Sequence, residues 1–217
     1  IKVFNTKNAF TNGVATMAIA MILSFYRRII KNHNDIKKHI WLKYSGETLM
    51  NKKIGIIGLG NIGKKIIHML QGFNTINYGN DLKRTDKRFI KKYDLKIKSK
   101  KFIFQNSDII IIATDLNKKS YKLLNKKTFR SLKLKPLIVN IGRGGSIDND
   151  ALIDALKKKR VIGACLDVFE NEPLEKNSVL KKFENCIFTS HNAFNTKDEV
   201  EFVHKNTLNN IFKGLNL

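Results

Sequence analysis

Three short segments in the second half of the chain contain the side chains that could do chemistry. The first is Gly142-Arg143-Gly144-Gly145, the second runs from Asp167 to Glu172, and the third contains His191. A glycine-flanked arginine can hold a planar carboxylate through two parallel hydrogen bonds and polarise a neighbouring carbonyl group. A carboxylate beside a histidine fixes the orientation of the imidazole, which can then donate a proton in one direction of a reaction and accept it in the other. These residue types would suit acid–base chemistry on a carboxylate-containing substrate.

A glycine-rich turn in the first half of the chain follows a short apolar run. Residues 53–57 are rich in isoleucine, which predicts a buried strand, and residues 64–73 carry apolar side chains at helical spacing. Between them, Gly58, Gly60 and Gly63 form the pattern G-x-G-x-x-G. In such a unit the first glycine allows a sharp turn, the second lets a pyrophosphate approach the backbone, and the third lets the helix pack closely on the strand. Because a helix N-terminus also attracts phosphate, the turn predicts a dinucleotide site.

An acidic residue 18 positions after Gly63 indicates which dinucleotide binds. A second predicted strand, 74–78, ends near Asp81. A carboxylate at this place can accept hydrogen bonds from both hydroxyls of the adenosine ribose and repels a 2′-phosphate, which favours NAD over NADP. Lys83 and Arg84 follow directly and could accommodate a phosphate, so NADP stays open. The plainer alternative is an ordinary glycine-rich turn between a strand and a helix.

Strands and helices alternate along the chain in an order that would bring the glycine turn close to the arginine, the acidic segment and the histidine. This alternation predicts a doubly wound parallel α/β sheet of the Rossmann type, with helices on both faces. Ligands of such sheets bind beyond the carboxyl ends of the strands, and the arginine, the acidic segment and the histidine each follow a predicted strand end. The further predicted strands are 109–113, 137–141, 162–166 and 187–189, with a helix at 149–158 and long helices outside the alternation at 14–31 and 197–212.

Each of the candidate side chains also has a plainer interpretation. A lone arginine usually pairs with a surface acid, Asp167 could merely cap a turn, and an isolated histidine is more often a hydrogen-bonded loop or core residue. Their joint placement beside a dinucleotide site favours the functional interpretation. The other histidines lack this setting and are interpreted as solvated or packing residues: His33, His39, His68 and His204.

The composition limits the partners that can be expected. The chain has 217 residues with 41 Lys and Arg against 18 Asp and Glu, a net charge of +23 that by itself suggests a nucleic-acid or membrane partner. The lysines are spread along the whole chain and form no aromatic-interleaved stripe, so nucleic-acid binding is not expected. The positive field would instead gather anionic substrates and cofactor at low ionic strength.

The cysteines and the apolar stretches favour a cytoplasmic protein. Cys165 and Cys186 lie in strand-like segments and form no C-x-x-C pair, so they are interpreted as buried apolar residues, with neither a disulfide nor a metal site. The longest apolar stretch, 14–26, is short of a membrane span. The sequence begins at Ile1 without a signal-peptide pattern, and we expect the true N-terminus to lie upstream.

With these motifs the chain resembles the cofactor domain of the D-isomer-specific 2-hydroxyacid dehydrogenases. The resemblance runs from about residue 1 to the C-terminal helix and rests on the segments 58–63, 140–145 and 166–173 together with His191. It implies reversible hydride transfer between NAD(H) and a 2-hydroxy acid/2-keto acid pair of the D-lactate, glycerate or 3-phosphoglycerate type. The similarity of 191–196 to D-lactate dehydrogenase-like members implies a small aliphatic 2-keto acid.

The resemblance assigns roles to individual residues. Arg143 would bind the carboxylate and carbonyl of the substrate, His191 would be the general acid/base, and Glu172 would pair with the histidine. Asp167 would lie near the nicotinamide amide. The full cofactor-binding set that it implies is Gly58, Gly60, Asn61, Ile62, Gly63, Asp81, Ala113, Thr114, Ile141, Gly142, Asp167 and His191.

Family members also carry a smaller N-terminal substrate domain that closes over the cofactor domain. Here the resemblance implies only a remnant of that domain and the hinge at 1–12, the NAD-binding domain at 13–195 and a C-terminal crossover helix at 196–217. The 217-residue chain alone is therefore expected to bind NAD weakly and turn over little. Three sites depart from the common pattern: 113–115 replaces His-x-Pro, Ser190 replaces a proline, and Thr16 stands where glutamate is frequent.

Two other functions and one assembly question stay open. A non-catalytic NAD-sensing interaction protein of the corepressor type has the same fold and can keep the arginine, glutamate and histidine. A basic nucleic-acid-binding α/β domain is the third possibility. Family members dimerise through the cofactor domain, so the segment from Val14 to Trp41 is interpreted either as a homodimer interface or as an intramolecular core helix.

Overall fold

A seven-stranded, wholly parallel sheet forms the centre of the molecule. The computed structural model describes residues 2–6 and 9–215. Within them the strands run in the spatial order β3-β2-β1-β4-β5-β6-β7, which confirms the predicted doubly wound fold. The strands are β1 (Lys53–Ile57), β2 (Ile76–Asn80), β3 (Lys96–Ile97), β4 (Ile109–Ile112), β5 (Leu137–Asn140), β6 (Gly163–Leu166) and β7 (Cys186–Phe188).

The chain reverses its direction of winding at β1. It passes from β1 outward to β3 and then returns to the other side of β1 with β4. The loops that follow β1 and β4 therefore leave in opposite directions, and a crevice opens between them at the carboxyl edge of the sheet. This is the place where the glycine turn lies.

In the part of the chain that the structure describes, eight α-helices surround the sheet. Several begin at a residue whose side chain accepts a hydrogen bond from the first turn, which explains where these helices start: Asp86, Ser99, Asn125 and Asp148. The helices are α1 (Thr11–Tyr26), α2 (Ile29–Ile36), α3 (Asn61–Leu70), α4 (Lys87–Lys92), α5 (Lys100–Asn106), α6 (Lys126–Ser131), α7 (Asn149–Lys157) and α8 (Lys197–Leu215).

Strand β4 shows how the core forms. All four of its isoleucines are completely buried, and alternate side chains point to opposite faces of the sheet. Ile109 and Ile111 join an apolar layer with α1 and α3, whereas Ile110 and Ile112 join a second layer with α5, α6 and α7. Each fully buried isoleucine contributes about 1.5–3 kcal/mol of transfer free energy, so the sheet is a rigid platform for the loops at its edge.

The prediction of one continuous helix at 14–31 is wrong. The chain forms α1 and α2, which meet at a 61° bend where Arg28 adopts a left-handed backbone conformation with φ of 52°. The helix α1 lies inside the core, as the intramolecular interpretation of this segment expects, because Val14, Ala15, Ala18 and Ile22 are buried and α1 packs against α3. Among the described residues no single helix could span a membrane, although the bent pair α1 and α2 meets the requirements of length and composition.

Other differences from the sequence predictions are smaller. The strand predicted at 74–78 is β2, two residues later, and the helix predicted at 64–73 begins at Asn61. The C-terminal helix predicted to end at 212 continues to Leu215, whereas 216 and 217 lie outside the described residues, as do 1, 7 and 8 of the predicted remnant at 1–12. Cys165 is buried and Cys186 is partly buried, and burial raises the pKa of both thiols.

Candidate functional site

The glycine turn joins β1 to α3 in a geometry that only glycine allows. Gly58 has φ of 103° and its amide donates to the carbonyl oxygen of Asn80, 2.8 Å away. A Cβ atom on Gly58 would overlap the carbonyl oxygen of Ala113, and one on Gly63 would overlap the carbonyl oxygen of Gly58. The first and third glycines therefore fix how closely α3, β1 and the loop after β4 approach one another.

The second glycine faces open space. A Cβ on Gly60 would have no neighbour within 4 Å, and Gly60 is the N-cap of α3, so no side chain from that position caps the first turn. The turn borders a cleft of about 560 Å³ to which Asn61, Ile62 and Ala113 also contribute. An uncapped helix start beside a cleft of this size is suited to a phosphate group.

Asp81 lies directly after β2 on the same cleft. Its Oδ2 accepts a hydrogen bond from the amide of Leu59 at 2.6 Å, and its Oδ1 accepts one from the amide of Lys83 at 2.7 Å. Two carboxylate oxygens offer about four acceptor positions, so these bonds fix the carboxylate and leave room for ribose hydroxyls. Lys83, Lys100 and Lys119 stand on the rim and supply positive charge for an anionic ligand.

The loop after β4 forms the opposite wall, and the loop after β5 packs against it. A Cβ on Gly142 would lie 2.7 Å from the carbonyl oxygen of Thr114, so these loops touch through their backbones. Thr114 lines the cleft, and among the described residues its hydroxyl is buried without a hydrogen-bond partner. Ile141 instead has its side chain in the core. The cradle of glycines, the open helix start and this unpaired hydroxyl fit a bound dinucleotide.

Asn140 determines the path of the turn that carries the arginine, and sequence reasoning missed it. It is 1% exposed at the end of β5, where its Oδ1 accepts from the amide of Gly142 and its Nδ2 donates to the carbonyl oxygen of Arg143, both at 3.1 Å. The guanidinium of Arg143 donates to the carbonyl oxygen of Gly142 at 2.8 Å. A polar residue that ends an apolar strand was the only signal available in the sequence.

His191 and Glu172 form a hydrogen-bonded pair. Nδ1 of the histidine lies 2.8 Å from Oε2 of Glu172, and Oε1 of the same carboxylate accepts from the amide of Phe169 at 2.9 Å. Burial alone would raise the pKa of Glu172, but the hydrogen bonds from His191 and Phe169 outweigh it, with help from the charge of Arg143, and the pKa lies below its ordinary value. An ionised carboxylate only accepts, so Nδ1 is the protonated nitrogen and Nε2 is left for a substrate.

Asp167 holds the loop that carries the histidine. The residue is 2% exposed, and its carboxylate accepts from the hydroxyl of Thr189 at 2.6 Å and from the amides of Asn192 and Ala193 at 2.9 and 3.2 Å. Its carbonyl oxygen accepts from the amide of His191, whose φ is 53°. These bonds stabilise the left-handed conformation of the histidine. Contact of Asp167 with a nicotinamide amide stays a prediction.

Two further residues, Gly144 and Lys122, join the arginine turn to the glutamate turn, and no pattern in the sequence indicates these contacts. A Cβ on Gly144 would overlap the carbonyl oxygen of Phe169, so the two turns are in backbone contact. Lys122 lies 3.4 Å from both Asp148 and Glu170, one acid beyond each turn. Arg143 and the pair of His191 and Glu172 are thus held at one edge of the sheet.

Comparison with known proteins identifies the family. The model of the "D-isomer specific 2-hydroxyacid dehydrogenase, NAD binding domain" matches residues 19–193. The chain is 33% identical to a glyoxylate reductase of Pyrococcus horikoshii over 88% of its own length and 59% of that protein. It is 35% identical to D-3-phosphoglycerate dehydrogenase of Bacillus subtilis over 90% of its own length and 37% of that protein.

A solved structure agrees with this result. The apo-structure of D-lactate dehydrogenase from Escherichia coli superimposes with a TM-score of 0.83 at 30% identity, covering 93% of this chain and 65% of that one. The chain thus spans about 59% of the glyoxylate reductase and less than two thirds of this structure. The chain belongs to the D-isomer specific 2-hydroxyacid dehydrogenase family and contains its NAD binding domain.

Proposed function

We propose that the protein transfers a hydride reversibly between NAD(H) and a 2-hydroxy acid/2-keto acid pair. The observation that carries the proposal is the hydrogen-bonded pair of His191 and Glu172, which shares the carboxyl edge of the sheet with Arg143. A proton donor, a fixed carboxylate and a cation beside a dinucleotide cleft are the groups that reduction of a keto acid requires.

Each side chain has a distinct task in this proposal. Arg143 binds the substrate carboxylate and polarises the adjacent carbonyl group. His191 gives the proton on Nε2 to the carbonyl oxygen during reduction and takes it back during oxidation, while Glu172 holds Nδ1 and stabilises the charged imidazole. The bound cofactor supplies the hydride chemistry. Asp167 keeps the histidine loop in place.

Part of the predicted cofactor set lines the cleft, namely Gly58, Gly60, Asn61, Ile62, Asp81, Ala113 and Thr114. Gly58, Gly60 and Gly63 with the start of α3 would hold the pyrophosphate, and Asp81 would hold the adenosine ribose. The carboxylate of Asp81 would repel a 2′-phosphate, which supports NAD rather than NADP. The backbones at 113–114 and 141–142 would border the nicotinamide half.

The substrate class is a small 2-keto acid. The relatives named above are a glyoxylate reductase, a 3-phosphoglycerate dehydrogenase and a D-lactate dehydrogenase, which differ in the substituent beyond the shared 2-hydroxy acid group. The shared group is the one that Arg143 and His191 would recognise. The net positive charge of the chain supports an anionic substrate.

The test is an assay of the protein encoded by the whole reading frame with NADH and a panel of 2-keto acids. At least one of glyoxylate, pyruvate, hydroxypyruvate and 3-phosphohydroxypyruvate should be reduced. His191→Asn should lower kcat by about 100-fold or more, because general acid catalysis is lost, with the Kd for NADH nearly unchanged.

The control is His204→Asn, which changes an exposed histidine on α8 and should leave kcat unchanged. If NADH binds but no acid is reduced, or if His191→Asn has no effect, the enzymatic proposal fails and the NAD-sensing interaction protein becomes the better explanation.

We also propose that the protein forms a homodimer. The supporting observation is an apolar surface on α2 and the following segment, which the buried helix α1 does not share. Trp41 is 81% exposed and Leu42 is 54% exposed. Exposed apolar patches of this kind mark protein–protein contacts.

A further inference from the structure

The start of α1 lies on the cofactor cleft. Ala9, Phe10 and Thr11 line the same cleft as Gly58 and Gly60. The side chain of Phe10, the N-cap, makes no capping hydrogen bond, so the amides of the first turn require another acceptor.

That acceptor is Glu199, which lies on α8, 186 and 187 residues away along the chain. Its Oε1 accepts from the amide of Asn12 at 2.7 Å and its Oε2 from the amide of Gly13 at 2.9 Å. Glu199 is only 6% exposed, and a Cβ on Gly13 would meet its carboxylate at 2.5 Å. A buried carboxylate at a helix start makes strong, charge-assisted hydrogen bonds and interacts favourably with the helix dipole.

The same contact region includes the loop that carries His191. The rings of Phe10 and Phe194 lie 5.1 Å apart edge to face, and the rings of Phe194 and His191 lie 6.3 Å apart. A Cβ on Gly13 would also lie 3.0 Å from the carbonyl oxygen of Ala193. The start of α1 is therefore held against the 191–196 loop by the Glu199 carboxylate on one side and by aromatic packing on the other.

We propose that Glu199 is a positioning residue that fixes the start of α1 against the His191 loop and so shapes the nicotinamide half of the cofactor cleft. The inference rests on the proposed function for placing the nicotinamide beside His191. Glu199 contributes no atom to the cleft lining that the structure describes, so it acts through residues 9–13 and the 191–196 loop.

In this arrangement the two halves of the cofactor depend on different parts of the protein. The adenosine and pyrophosphate half depends on the glycine turn and on Asp81, whose described hydrogen bonds go to Leu59 and Lys83. The nicotinamide half depends on the wall that Glu199 holds. Loss of the carboxylate should therefore weaken binding of NADH much more than binding of ADP.

The first test compares Glu199→Gln with the wild-type protein, both encoded by the whole reading frame. Glutamine has the same size, but its NH₂ group cannot accept and its charge is lost, so at least one of the two amides loses its partner. The Kd for NADH, measured by fluorescence, should rise about tenfold or more, the effect of losing a charge-assisted hydrogen bond. The Kd for ADP, measured by calorimetry, should change by less than about twofold.

Glu201→Gln is the matched control. Glu201 lies on the same helix, is largely exposed and pairs with Lys205 at 2.8 Å. This variant should leave both dissociation constants unchanged. Equal weakening of NADH and ADP by Glu199→Gln would show a merely structural role and overturn the proposal, and so would an unchanged Kd for NADH.

A second measurement needs no variant. Hydrogen exchange of the Asn12 and Gly13 amides in the wild-type protein should slow when NADH is added and stay unchanged with ADP. Slowing by both ligands or by neither would overturn the proposal. Both tests measure binding rather than turnover, so a protein that reduces no keto acid but shows the difference between NADH and ADP would refute the catalytic proposal alone.

Discussion

At the scale of single residues, the chemistry depends on how Glu172 is held. The carboxylate makes one hydrogen bond to the imidazole of His191 and one to the amide of Phe169, so both of its oxygens are oriented. The charge of Arg143 also acts on it. This single carboxylate therefore links the proposed proton donor to the turn beside the proposed substrate-binding arginine.

Glu172→Gln should change how stability depends on pH. The pKa of Glu172 lies below its ordinary value, since the hydrogen bonds from His191 and Phe169 outweigh burial. A carboxyl group with a lowered pKa stabilises the folded state above its unfolded pKa of about 4.3, and this contribution is lost as the pH falls through the lower folded value. The wild-type protein should therefore have a higher free energy of unfolding than Glu172→Gln at neutral pH. This difference should become smaller as the pH falls.

Urea unfolding at a series of pH values measures this difference. Glu175→Gln, at an exposed position in the same segment, is the control and should give no such trend. A difference between wild type and Glu172→Gln that stays constant down to about pH 3 would contradict the assigned hydrogen bonds.

At the scale of elements, the three glycines between β1 and α3 have different tasks, because two of them are needed for packing and one for ligand binding. Gly58 and Gly63 are required because their neighbours leave no room for a side chain, whereas Gly60 has open space around it. Packing within the chain therefore requires a glycine at 58 and at 63. A glycine at 60 is needed only if a ligand occupies the space beside it.

Three substitutions by alanine should distinguish these requirements. Gly63→Ala forces α3 away from β1, and we expect it to lower the free energy of unfolding by about 1–3 kcal/mol and to weaken NADH binding. Gly60→Ala should leave stability nearly unchanged but weaken NADH binding, because its methyl group would enter the pyrophosphate space. Gly72→Ala, also in open space, should affect neither.

Thermal unfolding measures the stability of the three variants, and titration with NADH measures their affinity for the cofactor. Unchanged NADH binding by Gly60→Ala would contradict the placement of the pyrophosphate. A fully stable Gly63→Ala would contradict the tight contact between α3 and the turn.

At the scale of the whole molecule, the apolar residues of the first 50 positions have two different fates. Helix α1 is part of the core, where Ile22 is completely buried, but α2 and the following segment keep Ile29, Trp41 and Leu42 on the surface. The two interpretations of this region thus apply to different parts of it. The intramolecular one describes α1, and the homodimer proposal concerns α2 and the segment to Trp41.

Trp41→Glu should therefore favour the monomer. A charge at the centre of an apolar interface opposes association, so the variant should sediment as a monomer at concentrations where the wild-type protein is a dimer. Ile97→Glu is the control and should leave the dimer intact. Ile97 is exposed on β3 at one edge of the sheet, whereas α2 lies beside β7 at the other edge. A monomeric wild-type protein would refute the dimer proposal.

The sequence by itself determined the class of fold and the family, because the signals for both are local. Runs such as Ile109–Ile112 can be recognised because a strand covered on both faces must be apolar throughout. The glycine spacing predicts its turn because backbone sterics act between near neighbours. The resemblance, which rested on such short segments, agrees with the family found by comparison.

Tertiary structure alone decided the features that depend on contacts between distant segments. The break at Arg28 and the bond from Glu199 to the first turn of α1 have no local signal, since Arg28 and Glu199 look like ordinary helical residues in the sequence. The hydrogen bond from Asn140 to the arginine turn also has to be found in the structure. It forms because the polar atoms of Asn140 are buried at the end of a strand and need partners there. Burial and hydrogen-bond satisfaction are properties of the whole packed chain, and they determine where the local motifs come to lie.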